Sequence, residues 1–146
     1  MKISILLVLF LSGISSMAQK NPDAIIGKWM SVENNIMVEV YKDAGIYKAK
    51  VLWFDDSDNK SKPMQTRTDE KNPDKGLRTR KIIGLQVLNG LSYNASNDKW
   101  EDGKIYDSSS GKTWDASAWL ISDHLLKVRG YWLIEFFGET MKFKRA

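Results

Sequence analysis

Apolar and polar residues alternate with a period of two through most of this chain, and that pattern constrains the fold more than any motif does. "IMVEVYK" from Ile36, then "KDAG", then "IYKAKVLWF" from Ile46 to Phe54 reads as two strands joined by a Gly-containing turn. "KIIGLQVL" reads as a strand ended by Asn89-Gly90, a strong short hairpin signal. "KWEDGKIYD" (99–107) and "KTWDASAWLI" (112–121) flank "SSSG" as a further hairpin, "HLLKVRGYWLI" (124–134) follows, and "ETMKFKR" (139–145) ends the chain. No segment carries a 3.6-residue apolar period. Short strands between polar turns predict an all-β fold, an antiparallel up-and-down barrel of about eight strands. A β-sandwich is the alternative.

The alternation also assigns faces. In 46–54, Tyr47, Ala49, Val51 and Trp53 fall on one side, opposite Lys48 and Lys50. In 112–121, Trp114, Ala116, Ala118 and Leu120 oppose Thr113, Asp115 and Ser117. Large and small side chains alternating on an apolar face suit a tapered barrel interior.

The first residues read as processing signal rather than fold. Lys2 precedes an apolar run from Ile3 to Ile14, and Ser16-Met17-Ala18 places small residues for cleavage between Ala18 and Gln19. The expectation is a signal peptide at 1–18, a single domain at 19–146, and export to the periplasm or the cell exterior. The apolar run falls short of the roughly 20 residues a membrane-spanning helix needs. The 128 residues that remain form one domain by length. With no cysteine in the sequence, disulfides, thiol chemistry and Cys-zinc sites are excluded, so the domain must rely on packing. Losing Lys2 leaves 21 basic against 18 acidic residues, a mild +3. Export removes nucleic acid from the expected partners, and an envelope contact, through an anionic glycan or a lipid headgroup, suits that charge better.

Candidate sites are few. His124 follows Ser122-Asp123 at a predicted turn and reads as a turn residue, because no G-x-S-x-G elbow accompanies it. Asp55, Asp56, Asp58 and Asn59 are hard oxygen ligands, but an EF-hand counted from Asp56 would have Ser61 and Arg67 where Gly and Glu belong. We read a solvated loop, with no metal and no cofactor. Glu39 and Asp107 are a conceivable acid–base pair for a hydrolase, yet nothing in the sequence brings them together, so no catalytic residue is assigned. Asn94-Ala95-Ser96 reads as a turn.

Arg129, in "LKVRGYW", has two readings. With Leu126, Val128 and Gly130 inward it is a surface charge beside Lys127. With the other face inward it is a buried cation that could clamp a ligand carboxylate or phosphate. The leading expectation is a non-enzymatic binding barrel that holds a small amphipathic or apolar ligand around Tyr47, Trp53 and Trp114, with Arg129 as polar anchor. The rival structural reading is that these aromatics simply fill the barrel. A second functional reading uses the basic residues of 60–81, eight bases against three acids, to hold an anionic polymer or a protein partner. Three acids at 55–58 offset part of that charge. Oligomeric state stays open.

"GKW" at Gly27–Trp29 opens the first strand and resembles the Gly-x-Trp of lipocalin-like barrels, a resemblance that implies an Arg on the last strand, here Arg145, with its guanidinium over the Trp29 indole. In "DEKNPDKGLRTRKIIG" (69–84), Asn72-Pro73-Asp74 reads as a turn. Arg78 and Arg80 would clasp the connector through carboxylates such as Asp69 or Asp74. Together, "IIGKW", "NPDKGLRTRKIIGLQVLNGL", "WEDGKIYDSSSGKTW", "LKVRGYW" and "GETMKFKR" resemble the bacterial domain of unknown function 2147 family, small signal-peptide-bearing proteins of Gram-negative bacteria. The matches cover nearly all of the mature chain and include Gly27, Trp29, Asn72, Asp74, Arg78, Arg80, Asp107 and Arg129. The chain departs from the family pattern at Ser108, Trp114 and Phe143. The resemblance implies a compact lipocalin-like β domain, and it implies no activity.

Overall fold

The computed structural model describes residues 20–131 and 138–146. The expected signal peptide, and the part of the expected 124–134 strand beyond Tyr131, lie outside the described residues. The alternation becomes eight strands: β1 (Gly27–Ser31), β2 (Ile36–Asp43), β3 (Ile46–Phe54), β4 (Gln86–Asn94), β5 (Lys99–Asp107), β6 (Lys112–Ser122), β7 (Leu125–Tyr131) and β8 (Glu139–Arg145). Each pairs antiparallel with the next, and β8 returns to β1, closing an up-and-down barrel. Closure leaves no sheet edge to guard. Apart from strands, the helical elements among the described residues are 3₁₀ turns, at Pro22–Ile25, Met64–Thr66 and Lys75–Leu77.

The core is one cluster inside the barrel. Trp29, Trp100, Tyr47, Ile25, Leu91 and Leu126 are almost fully buried, with Ala49, Ala116 and Ala118 as the small partners between them. Burying a large apolar side chain stabilises the fold by about 1.5–3 kcal/mol. Within this core Tyr47 meets Trp100 edge to face, at 84° with ring centroids 6.3 Å apart.

Two local readings change. Asn89-Gly90 is not a turn: both residues lie within β4, and Asn89 pairs with Lys104. Gly90 has φ +82° and faces Asp102 at φ +62°, so the two strands bend together there. The hairpin turn comes later, around Ala95–Asp98, where the Asn94 side chain accepts from the Ser96 amide at 3.0 Å. Gly90's freedom at positive φ is spent on a strand irregularity instead. Correspondingly, β4 starts at Gln86, and residues 81–85 belong to the connector.

The second change is a β-bulge. Val38 pairs with Val51, but Met37 pairs with Trp53, leaving Leu52 unmatched. One extra residue flips the alternation. Tyr47, Ala49 and Val51 face inward as expected, whereas Trp53 turns outward with Met37. Phe54 takes the inward place, opposite Ile36, which packs on the core.

Candidate functional site

The long β3–β4 connector is built around one buried carboxylate. Asp69 is fully buried. It accepts hydrogen bonds from the Tyr106 hydroxyl at 2.6 Å, the Asn72 amide at 2.8 Å and Arg80 Nε at 2.9 Å. Burial alone would raise its pKa, but these three donors outweigh that and hold it below the ordinary carboxylate value. Arg80 also lies over the Tyr106 ring, 5.5 Å from its centroid. Arg78 Nε donates to the Asn72 carbonyl at 2.7 Å, so both arginines grip the 69–72 turn. Asp74 is not one of their partners. It accepts from the Gly76 amide at 2.8 Å and starts the Lys75–Leu77 turn. The clasp rests on the β5–β6 turn, where Asp107 accepts from Ser109 and Ser110. Gly111, at φ +74°, has room for no Cβ against the Lys71 carbonyl.

The opposite barrel end is closed by Arg145. Its guanidinium lies 4.2 Å from the Trp29 ring centroid. It donates to the carbonyls of Asp123 at 2.8 Å, Ile26 at 3.1 Å and Ala24 at 2.7 Å. Gly27 belongs to this arrangement: its φ is +137°, and a Cβ there would sit 2.9 Å from the guanidinium. Trp29 Nε1 donates to the Ile25 carbonyl and Trp100 Nε1 to the Pro22 carbonyl, fixing the Pro22–Ile25 turn over the barrel end. Asp23 on that turn accepts from Tyr47 at 2.6 Å and Lys42 at 2.9 Å, and both bonds hold its carboxyl below its usual value.

The four residues expected to surround a ligand do not converge. Tyr47 is core, with its hydroxyl committed to Asp23. Trp53 is outside the barrel because of the bulge at Leu52. Trp114 faces inward opposite Ile105, but at the far end of the barrel from Tyr47. Leu126 and Val128 are buried, so Arg129 lies outside beside Lys127, and its Nη1 donates to Thr140 at 2.5 Å. Its interior-clamp reading therefore falls. Among the described residues the interior retains an apolar void of about 40 Å³, whose lining includes Ile25, Val38, Ala49, Leu88, Val128 and Phe143. Drug-sized ligands need roughly 300 Å³ or more.

The remaining candidates are also dispersed. Glu39 on β2 pairs with Lys50 at 3.0 Å, while Asp107 ends β5, two strands that are not neighbours. Asp55 and Asp56 accept from the Ser57 and Met64 amides, and Asp58 binds Arg67 at 2.8 Å. These acids order their own loop, and no group of three metal-ligating side chains is assembled among the described residues. His124 sits in the exposed β6–β7 turn, its carbonyl accepting from the Arg145 amide. Within 60–81, Arg67, Arg78 and Arg80 are all consumed internally. Sequence reasoning missed Asp23 and Tyr106, whose partners lie 24 and 37 residues away along the chain.

The sequence profile of a family described as "uncharacterized protein conserved in bacteria", domain of unknown function 2147 (DUF2147), matches residues 27–145. The chain belongs to this family. No curated protein matches it. A solved structure, described as protein HP1028 from the human pathogen Helicobacter pylori that belongs to the lipocalin family, is similar at a TM-score of 0.70 and 22% identity. The similarity covers 84% of this chain and 82% of that one, and it shows a shared lipocalin-like fold. In this DUF2147 chain the signature residues fall in two structural clusters. Gly27, Trp29 and Arg145 close one end of the barrel, and Asn72, Asp74, Arg78, Arg80 and Asp107 order the connector and the turn beneath it.

Proposed function

We propose that the protein is an exported, non-enzymatic lipocalin-like barrel whose interior accepts a slender apolar group, such as the end of an alkyl chain. The observation that carries this reading is the void itself. It is bounded by apolar side chains, lies among the inward faces of β2, β3, β4, β5, β7 and β8, and measures about 40 Å³. Apolar cavities stay dry and favour apolar occupants. The volume restricts the occupant to a few carbons unless neighbouring side chains move, and it disfavours a bulky ligand stacked between tryptophans. Export is part of the proposal and rests on the apolar and small-residue pattern of residues 3–18.

Native mass spectrometry and thermal shift with a series of fatty acids of increasing chain length would test the interior. Binding should be abolished by Ala49→Leu, which fills the void, while the barrel remains folded by circular dichroism. Absence of any bound mass and of any shift across the series would leave the interior as packing alone. Detection of the chain with a new N-terminus at Gln19 in the exported fraction of a bacterial host would support export, and retention of Met1 in the cytosol would refute it.

A further inference from the structure

The outer surface is not uniform in charge. On β2–β3 the cross-strand neighbours carry opposite signs: Glu39 binds Lys50 at 3.0 Å and Asp43 binds Lys48 at 2.7 Å. On β5–β6, Lys104 is paired with Asp115. The face made by β7, β8 and β1 breaks this rule. Its outward positions among the described residues include Lys28, Lys127, Arg129, Lys142 and Lys144; the acid on these strands, Glu139, is exposed but lies on the inward register opposite Gly130, at the far end of β8 from Lys144. Lys127 stands directly opposite Lys142 in the register. The acid opposite Lys28, Glu39, is taken by Lys50. Among the described residues, Lys28, Lys127, Lys142 and Lys144 form no ion pair.

Like charges directly opposite on a sheet are destabilising. Lysines on edge strands are tolerated because they discourage pairing with another chain, but β7, β8 and β1 are interior strands of a closed barrel. The charge pattern therefore brings the fold no structural return. At its β6 margin, Trp119 faces outward opposite Lys127. Lys99 and Lys127 place their ammonium groups 5.0 and 5.8 Å from its ring centroid. Ile121, two residues on, is 51% exposed.

We propose that the β7–β8–β1 face, with Trp119 and Ile121 at its margin, docks on an anionic phospholipid surface. Lysines concentrate at a negatively charged headgroup layer, each contributing about fivefold in partitioning, and indole rings settle at headgroup depth. The exposed isoleucine beside the cations favours a bilayer over a hydrated polyanion, which offers no apolar phase. This surface is separate from the interior void, so the two readings stand or fall independently.

The test is co-sedimentation of the full chain with vesicles of phosphatidylcholine alone and of an equal mixture with phosphatidylglycerol. The difference between the two isolates the basic face from any charge-independent contribution of the apolar residues 3–14. The combined Lys127→Gln, Lys142→Gln and Lys144→Gln variant should lose roughly a hundredfold of the phosphatidylglycerol-dependent partitioning. Trp119→Ala should weaken it further, and added salt should suppress it. A control with Lys60→Gln, Lys71→Gln and Lys75→Gln, equal in charge but on the connector, should bind like the parent. The proposal is overturned if the two triple variants lose binding equally, since net charge alone would then explain it. Retention of parent-level binding by the strand variant would also overturn it, as would binding to soluble heparin without binding to vesicles.

Discussion

Ala44 is the residue whose backbone conformation is least suited to its side chain. With φ +48° at Ala44 and +79° at Gly45, the β2–β3 turn has two residues in the left-handed region, as a two-residue hairpin turn with matched twist requires. Asparagine tolerates that region better than alanine. Ala44→Asn should raise stability by about 0.5–1 kcal/mol in urea unfolding, without changing the slope of the transition. Arg145 presents the opposite case, a residue fitted so closely that a like-charged replacement fails. Lysine cannot both lie flat on Trp29 and reach three carbonyls. Arg145→Lys should therefore cost about 2–3 kcal/mol, read as a lower urea midpoint. Both residues illustrate what sequence shows at this scale. The Gly27–Trp29–Arg145 contact was legible only through the resemblance of "GKW" to the Gly-x-Trp of lipocalin-like barrels, and the guanidinium does lie over Trp29. The strain at Ala44 was not, since "KDAG" names a turn without giving its torsion angles.

The β3–β4 connector is the element whose order depends most on one side chain. In the unfolded chain Asp69 takes up its proton near about pH 3.9; in the folded chain it does so only at lower pH. The network thus contributes its full stability above that range and loses it as pH falls through the folded value. Asp69→Asn leaves Arg80 without its carboxylate and should cost about 2–4 kcal/mol at neutral pH. Its stability should also fall less steeply than the parent's in acid titration followed by tryptophan fluorescence. Hydrogen exchange should rise first in residues 67–82, where the Asp69 amide binds the Arg80 carbonyl and the Ile82 amide binds Arg67. Part of this element was readable. Paired arginines beside Asn-Pro-Asp announced a clasp, and Arg80 with Asp69 forms it. Tyr106 was not readable as the third partner, because its hydroxyl comes from a distant strand that only barrel closure brings near.

For the molecule as a whole, closure through β8 is the critical contact. Deleting residues 139–146 would remove Phe143 and Arg145 and expose the edges of β1 and β7. The truncated chain should aggregate rather than form a smaller barrel, seen as loss of the intact protein's elution peak in size-exclusion chromatography and as dye binding to exposed apolar surface. Period-two alternation by itself determined the class of fold, the strand number, most boundaries and the inward faces of β3 as far as Val51 and of β6, because a strand's faces follow from position parity. It could not determine where parity breaks. The bulge at Leu52 and the irregularity at Gly90 arise where neighbouring strands must curve to close a barrel, and each moves side chains by one place. Only the tertiary structure decided that Trp53 and Arg129 lie outside, that Tyr47 packs in the core with its hydroxyl bound to Asp23, and that lysines from both chain ends share one face.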